Sequence, residues 1–323
     1  MIREGALQRV FQHANAVVIH QGKTVFSGGT APPIARFDLA SLTKVISTTA
    51  LCCQLEVSPT LKVGDVFSHA QSARVTVADL LTHRSGLPAF KPFFATCTTR
   101  EQVISAALAT KPLTDPGKAS IYSDIGFIIL GELISTLHGA PLDQLFTKHL
   151  GLAESGYRPS PKELTISTGG TRPREPAPGQ EGMWSLPVGP SRDGEVDDDN
   201  AWLMNGVAGH AGLFGSARDV AKFGQAILDG TISYGGWPKD TTPNSTRTYG
   251  FDTPSAESPS CGHRFGPNAI GHLGFTGTSL WLDFDRQLVV ALLTNRVIYG
   301  RANVQIRQFR PRFHDAVLDE LGL

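Results

Sequence analysis

The segment Ser41-Leu42-Thr43-Lys44-Val45-Ile46-Ser47-Thr48-Thr49-Ala50-Leu51 places a hydroxyl and an amine three residues apart, directly before an apolar run. Residues three apart share one face of a helix, so the two side chains are expected to meet there. A serine hydroxyl becomes an effective nucleophile when a nearby base takes its proton, and a buried lysine can be that base. Ser-x-x-Lys also arises by chance in a chain of 323 residues, so the rest of the sequence must decide.

Two later segments complete a three-motif pattern in the expected order. Tyr122-Ser123-Asp124 precedes a strongly apolar stretch, and His272-Leu273-Gly274 leads into Phe275-Thr276-Gly277. Ser-x-x-Lys, a Ser-Asp-Asn-type triplet and a Lys-Thr-Gly-type triplet together mark enzymes that react with penicillin through a serine. The chain therefore resembles the serine β-lactamase and penicillin-binding-protein-like superfamily, most closely its branch of class C β-lactamases, D-aminopeptidases and β-lactamase-fold esterases. Residues 80–88 and 207–214 extend this resemblance over nearly the whole chain.

Strand and helix patterns predict an α/β fold of the α+β type. Residues 15–20 and 23–27 are β-rich and joined at Gln21-Gly22, which predicts a hairpin, and 274–283 with 288–295 predict two further antiparallel strands. An antiparallel sheet flanked by helices is thus assembled from both chain ends, with a mostly helical lobe inserted. The resemblance implies the same β-lactamase/transpeptidase-like form. Helices are expected near residues 2–12, from Ser41, and over 77–81, 102–108, 126–137 and 316–321, with a further start at 216–219.

These patterns divide the chain into two lobes. Residues 1–74 plus 245–323 are expected to form a sheet-and-helix lobe, residues 75–244 the helical lobe, and the active site is expected between them. Residues 168–200 and 231–260 are rich in Pro, Gly and polar residues and predict loops that border a cleft. Within the first loop, Glu195 and Asp197–Asp199 are expected to be a solvated acidic run.

Composition narrows the classes of partner. Lysine plus arginine and aspartate plus glutamate both total 29, so no net charge attracts nucleic acid or an anionic membrane. A small molecule or a short peptide fits better as substrate. The four cysteines, Cys52, Cys53, Cys97 and Cys261, lack metal-binding spacing and predict buried thiols. The sequence predicts no metal, no cofactor and no membrane insertion, and leaves the oligomeric state open.

The start of the chain lacks the basic segment and apolar core of a signal peptide, so a cytoplasmic location is expected from the sequence as written. A periplasmic or exported location is expected instead if a leader has been removed.

The resemblance assigns roles to the first two motifs. It implies Ser41 as nucleophile, Lys44 as a proton acceptor or a positive charge beside it, and Tyr122 as the residue that carries a proton between serine and leaving group. Asp124 replaces the more usual asparagine and is expected near the substrate. An aspartate beside Lys44 would favour the protonated amine and shift the role of base to Tyr122. The alternatives are a helix-capping serine, an exposed lysine and a tyrosine in the core.

The third motif departs from the common pattern. His272 stands where many relatives have lysine, and an imidazole can change its charge near neutral pH. Leu273 removes the hydroxyl that helps hold the carboxylate of β-lactams. Gly274 suits a strand against which a substrate lies. The resemblance implies an oxyanion hole formed by the amides of Ser41 and Phe275.

The sequence also predicts residues that contact the substrate and the type of reaction. Thr276, Gly274 and His210 are expected to contact the substrate, although His210 could simply lie in a glycine-rich turn and His272 could be a loop histidine. We expect a serine hydrolase that acts through an acyl-enzyme on a small ester or a D-amino-acid peptide of the peptidoglycan type, with weak β-lactam hydrolysis left open. The alternative is a penicillin-binding or sensor module that is acylated slowly or not at all.

Overall fold

Five antiparallel strands form the main sheet, and they come from both ends of the chain. The computed structural model describes residues 1–169, 171–172, 189–190, 194–233, 242 and 245–323. The order across the sheet is β2-β1-β10-β9-β8. In chain order its strands are β1 (Ala14–His20), β2 (Lys23–Gly29), β8 (Ile270–Leu273), β9 (Ser279–Asp283) and β10 (Leu288–Thr294). Ala14 pairs with Thr294 and His20 with Leu288, so the two chain ends meet at the centre of the sheet.

The remaining strands are short. A three-stranded sheet joins β3 (Phe37–Asp38), β7 (Leu213–Gly215) and β4 (Gly156–Tyr157), and a two-stranded pair joins β5 (Thr171–Arg172) and β6 (Gly189–Pro190). The three-stranded sheet matters for the site because β3 leads directly to Ser41.

Ten α-helices surround these sheets in the described part of the chain. They are α1 (Ile2–Leu7), α2 (Ala50–Gln54), α3 (Val63–Val66), α4 (Val77–Leu81), α5 (Arg100–Leu108), α6 (Asp124–His138), α7 (Leu142–Leu150), α8 (Asp199–Leu203), α9 (Ala217–Leu228) and α10 (Ile306–Leu321). No single described helix is long and apolar enough to cross a membrane. Helices α6 and α7, which are bent by 74° relative to each other, are together long and apolar enough by length and composition alone.

The inner strands of the main sheet are buried on both faces because their side chains alternate between two apolar cores, whereas the edge strand β2 is mostly exposed. Val17 and Ile19 of β1 face the larger core, which includes Ala221 of α9 and most of the buried side chains of α6. Val18 faces the smaller core with Phe309 and Phe313 of α10. Strands covered on both faces read as continuous apolar runs, as β10 does from Leu288 to Leu293.

The predicted fold class is confirmed, as are the first hairpin and the helices at 77–81, 102–108 and 126–137. Three boundaries were wrong. The first helix ends at Leu7, and Arg9 adopts a φ of +58°. The last helix begins at Ile306 rather than 316 and contains Pro311, a residue that normally interrupts a helix interior, so the sequence pattern does not reveal its first turns. The lobe boundaries stay a prediction.

The third correction concerns the strand predicted over 274–283. Only its second half is strand. Residues 274–278 form the turn between β8 and β9, closed by the Gly274 N–H donating to the Thr278 carbonyl at 2.7 Å. Gly277 has a φ of +104°, which favours glycine and produces the reversal. The loops predicted over 168–200 and 231–260 lie partly outside the described residues.

Candidate active site

Ser41 lies in the turn that connects β3 to the following helix. That helix begins as a π-helical segment, Lys44–Thr49, and continues as α2. The Lys44 Nζ donates to Ser41 Oγ at 3.0 Å, to Asp124 Oδ1 at 2.7 Å and to the His210 carbonyl at 3.3 Å. The structure therefore brings Ser41, Lys44 and Asp124 together across 80 residues of chain. Asp38, at the end of β3, accepts the Ala40 N–H of this turn at 2.8 Å.

Lys44 is fully buried, yet its charge is favoured. Burial alone would lower the pKa of this amine, but the Asp124 carboxylate, with Tyr122 beside it, outweighs that cost and leaves the pKa raised. The ammonium thus persists at neutral pH. The expectation that an aspartate at this position favours the protonated lysine agrees with this contact. In this state Lys44 supplies positive charge beside Ser41.

Tyr122 lies directly beside this ammonium. Its ring centroid is 4.7 Å from Lys44 Nζ and 5.1 Å from the guanidinium carbon of Arg247. Two histidines flank the same ring, His83 with a centroid separation of 4.5 Å and His272 with 5.8 Å. Both positive charges would stabilise negative charge developing on the phenol.

The two histidines are locked in opposite tautomers. His272 Nδ1 lies 2.8 Å from the Leu273 carbonyl, so it must donate a proton and leave Nε2 as an acceptor. His83 Nδ1 instead accepts the Ser123 N–H at 3.0 Å, which leaves the proton on Nε2. Neither Nε2 has a hydrogen-bond partner among the described residues.

The expectation that the charge of His272 changes near neutral pH was wrong. Burial, together with the charges of Lys44 and Arg247, lowers its pKa well below the usual value. His83 is buried in the same way, and its pKa is likewise lowered. Both imidazoles are therefore neutral at physiological pH.

The amides predicted to form the oxyanion hole are free to bind a substrate. Within the described chain, neither the Ser41 N–H nor the Phe275 N–H donates to an acceptor. The turn that carries Phe275 is packed tightly, since a Cβ on Gly274 would lie 1.9 Å from Thr278 Oγ1. Buried Arg310 donates to the carbonyls of Gly274 and Gly277 and supports this turn from behind.

The contact of Thr276 with the substrate stays a prediction, and its side chain is not among those that line the cleft. Its side chain is fully buried, and its hydroxyl donates to the Asp38 carbonyl at 2.7 Å. Gly274 and His210 do line the cleft, as do Tyr122, Asp124 and His272.

The acidic run was also predicted wrongly as solvated. Asp197 and Asp199 are buried and both pair with Arg301 at 3.1 Å, while Asp198 accepts from His210 Nε2 at 2.9 Å. These contacts make the run a wall of the cleft rather than a solvated loop. Of the thiols, Cys52, Cys97 and Cys261 are buried as predicted, and Cys53 is half-buried.

The cleft has a volume of about 480 Å³, and one end of it is rich in arginine. Arg296, Arg307 and Arg310 line this end, and no described carboxylate forms an ion pair with any of them. Burial and the neighbouring Arg296 and Arg307 lower the pKa of Arg310 to about 9, so it is still charged at neutral pH. No three described His, Cys, Asp or Glu side chains are grouped to bind a metal ion.

Sequence reasoning missed several of these residues. The arginines between 296 and 312 were visible as a basic cluster, but nothing in the pattern placed them at the cleft. His83 lies within residues 80–88, and no local pattern singles it out, because its contact with the Tyr122-Ser123 segment spans about 40 residues.

A buried Lys44 bonded to Ser41, with Tyr122 and two unpaired amides beside them, defines a site for acyl transfer to serine. The chain belongs to the Beta-lactamase family, whose model matches residues 2–309, and this is a β-lactamase-fold serine hydrolase family. The predicted resemblance is thereby confirmed.

Individual proteins agree with this family. The chain is 31% identical to "N-acetylmuramyl-L-alanine amidase" of Bacillus subtilis, over 80% of this chain and 68% of the relative. It is 28% identical to a "Putative D-alanyl-D-alanine carboxypeptidase" of Salmonella agona, over 84% and 71%. Among solved structures, "EstCE1, a hydrolase with promiscuous acyltransferase activity" superposes with a TM-score of 0.71 at 17% identity, covering 96% of both chains, and supports the fold alone.

Proposed function

We propose that this protein is a serine hydrolase that cleaves short peptides of the peptidoglycan type through an acyl-enzyme on Ser41. The observation that carries the hydrolase assignment is the Lys44 ammonium, held 3.0 Å from Ser41 Oγ and 2.7 Å from Asp124. An exposed or misplaced lysine would leave Ser41 as an ordinary helix-capping hydroxyl.

In this proposal, Tyr122 is the group that moves the proton. Ser41 Oγ attacks the carbonyl carbon of the substrate while the Tyr122 oxygen accepts the serine proton, which later passes to the leaving amine. Tyr122 accepts this proton as a phenolate, which Lys44 and Arg247 stabilise before the attack and again once the leaving amine has taken the proton. The Ser41 and Phe275 amides bind the oxyanion of the tetrahedral intermediate. Water then releases the acyl group, with the lone pair of His272 Nε2 available to accept its hydrogen bond.

The arginine-rich end of the cleft supports an anionic substrate over a neutral ester. Arg296 and Arg310 are buried and donate to backbone carbonyls, which leaves exposed Arg307 as a positive charge at this end with no described ion pair, and guanidinium groups bind carboxylates well. A peptide that ends in a D-amino acid carries such a carboxylate beside its scissile bond.

The names of the relatives agree with this substrate class. One is named "N-acetylmuramyl-L-alanine amidase" and another "Putative D-alanyl-D-alanine carboxypeptidase". Leu273 lacks the hydroxyl that the resemblance assigns to holding the β-lactam carboxylate, so a carboxylate bound by this chain would depend on the arginines of the cleft instead. We therefore place a peptide first, a small ester second and a β-lactam third.

The test compares one peptide in two forms, N-acetylated D-alanyl-D-alanine with a free carboxylate and the same peptide as its carboxamide. We expect kcat/KM to be at least tenfold higher for the free carboxylate. Arg307→Gln should raise KM several-fold for the carboxylate and leave the carboxamide unchanged. Arg312→Gln is the matched control, because Arg312 is exposed on the same helix and does not line the cleft.

Equal or better turnover of the carboxamide, or of p-nitrophenyl acetate, would overturn the peptide assignment. A single acylation of each chain without product release would instead indicate a sensor.

A further inference from the structure

Asp38 is a buried carboxylate that contacts three separate segments around Ser41. It is 2% exposed at the end of β3, three residues before Ser41. Its Oδ1 accepts the Ala40 N–H at 2.8 Å, and its Oδ2 accepts the Asp197 N–H at 2.6 Å. Its backbone carbonyl accepts the Thr276 hydroxyl at 2.7 Å. One residue thus joins the turn before the nucleophile, the acidic wall of the cleft and the turn between β8 and β9.

The bond to Ala40 compensates an unfavourable backbone conformation. Ala40 has a φ of +47°, which a residue with a Cβ adopts rarely. An aspartate that accepts the N–H two residues later stabilises such a turn. Because Ala40 immediately precedes Ser41, this bond also sets the direction of the Ser41 N–H.

The second amide of the oxyanion hole is anchored on the same segment. Thr276 follows Phe275 directly and bonds to Asp38, and Thr278 donates to the Leu39 carbonyl at 3.1 Å. The turn that carries the Phe275 N–H is therefore fixed to the strand that carries Ser41. The distance between the two amides depends on this anchoring.

We propose that Asp38 is a positioning residue, which holds the Ser41 and Phe275 amides in the geometry that binds the oxyanion and links them to the wall at Asp197. This inference rests on the proposed acyl-enzyme function. Asp38 touches no substrate, so it acts through Ala40, Thr276 and Asp197.

The charge of Asp38 bears on this role. Burial raises the pKa of its carboxyl to about 7, with the nearby carboxylates of Asp197 and Asp198 adding to the shift and the Asp197 and Ala40 N–H groups opposing it. Arg301 acts on the Asp38 carboxyl through its ion pair with Asp197. The Thr276 hydroxyl donates to the backbone carbonyl of Asp38 and not to its carboxyl. The ionised form accepts both N–H groups fully, whereas the protonated form must carry a hydrogen on one oxygen. We therefore expect kcat to rise with pH through about 7.

The test compares Asp38→Asn with Asp219→Asn. Asp219 is also a buried carboxylate that accepts a backbone N–H, from Glu154 at 2.6 Å, but it lies at the start of α9 and does not line the cleft. Asp38→Asn should lower kcat roughly tenfold or more, since small displacements of catalytic groups cost this much, with KM within about twofold. It should also abolish the rise in kcat near pH 7, which Asp219→Asn should retain. An unchanged kcat and pH profile in Asp38→Asn would overturn the proposal.

A second pair of variants tests the hydrogen bond between Thr276 and Asp38 by changing Thr276. Thr276→Val removes the hydroxyl that bonds to Asp38 and should lower kcat, while Thr276→Ser keeps the hydroxyl and should restore it. Loss of kcat in both variants to the same extent would contradict the positioning role, because it would show that only packing matters.

A measurement without substrate separates this inference from the proposed function. The folded state binds the Asp38 proton up to about pH 7, while an unfolded aspartate releases it near pH 4, so the stability of wild type relative to Asp38→Asn should fall between these values as pH rises. If the stability difference falls in this way but Ser41→Ala still turns over substrate, the proposed function is wrong. The assigned change in the charge of Asp38 is then still correct. A stability difference that does not vary with pH would overturn the assigned charge change.

Discussion

At the scale of single residues, the site is defined by the competition between burial and pairing at Lys44. A buried amine without a partner would lose its proton and could serve as the base. The Asp124 carboxylate at 2.7 Å reverses this, so the ammonium is retained and Tyr122 becomes the candidate base. We therefore expect that aspartate at position 124, in place of the family's usual asparagine, leaves the proton transfer to Tyr122.

Tyr122→Phe tests this assignment. It removes the proposed base and should lower kcat by about 10²-fold or more, with KM little changed. Tyr157→Phe is the control, because it removes another buried tyrosine hydroxyl, which donates to Ser47 Oγ at 2.8 Å. Steady-state kinetics of both variants should show a loss only in the first. A Tyr122→Phe enzyme with wild-type kcat would rule out the phenol as base.

Asp124→Asn tests the cause of the charge on Lys44. Without the carboxylate, burial dominates and the pKa of Lys44 falls. If activity needs the ammonium, kcat/KM is lost as pH rises through that pKa, so the alkaline limb should move to lower pH by about one unit or more. A pH profile of kcat/KM would show the shift. An alkaline limb that stays in place would mean that Lys44 titration does not limit activity.

The residues of this site were predictable from sequence to the extent that local motifs contain them. Ser41 and Lys44 lie one helical turn apart, so their contact follows from spacing. The opposite tautomers of His83 and His272 could not be predicted, because each depends on one backbone group that only the folded chain supplies. The same holds for Arg310, whose role depends on where α10 lies against the turn at 274–278.

At the scale of elements, the start of α6 positions three groups at once. Ser123 is its N-cap and accepts the Gly126 N–H at 3.1 Å, while its own hydroxyl donates to the Pro88 carbonyl. Tyr122 precedes the cap and Asp124 begins the helix. The cap therefore orients the phenol and the carboxylate relative to Lys44.

Ser123→Ala should destabilise the protein by about 1 kcal/mol, as the loss of a helix cap generally does, and should also lower kcat. Ser216→Ala removes the equivalent cap of α9, which accepts the Asp219 N–H at 3.2 Å away from the cleft. It should cost similar stability and leave kcat unchanged. Denaturant unfolding and steady-state kinetics measure both quantities. An equal loss of kcat in the two variants would show a general effect of stability instead.

Elements with clear periodicity were predicted well, and those formed by tertiary constraint were not. The alternation in 15–20 and 23–27 predicts the hairpin because its period matches a strand. Phe275-Thr276 has strand-like composition, yet Gly277 and the anchoring of Thr276 on Asp38 make this segment a turn.

At the scale of the whole molecule, the pairing of β1 with β10 brings the two ends of the chain together and places the turn at 274–278 against β3. The fold class was predictable, since strands at both ends around a helical middle have few compact arrangements. The cleft was not, because its walls come from segments as distant as Asp198 and Arg307, and no local pattern encodes their meeting. This is why the proposed anionic substrate rests on the residues that line the cleft and not on the motifs.

The central claim is that Ser41 forms an acyl-enzyme that turns over. Time-resolved intact-mass measurement of wild type and Ser41→Ala, with N-acetyl-D-alanyl-D-alanine and p-nitrophenyl acetate in parallel, tests it most directly. We predict a transient adduct of one acyl group on wild type, many products for each chain, and neither on Ser41→Ala. Turnover that survives in Ser41→Ala, or an adduct that maps to another residue, would contradict this account.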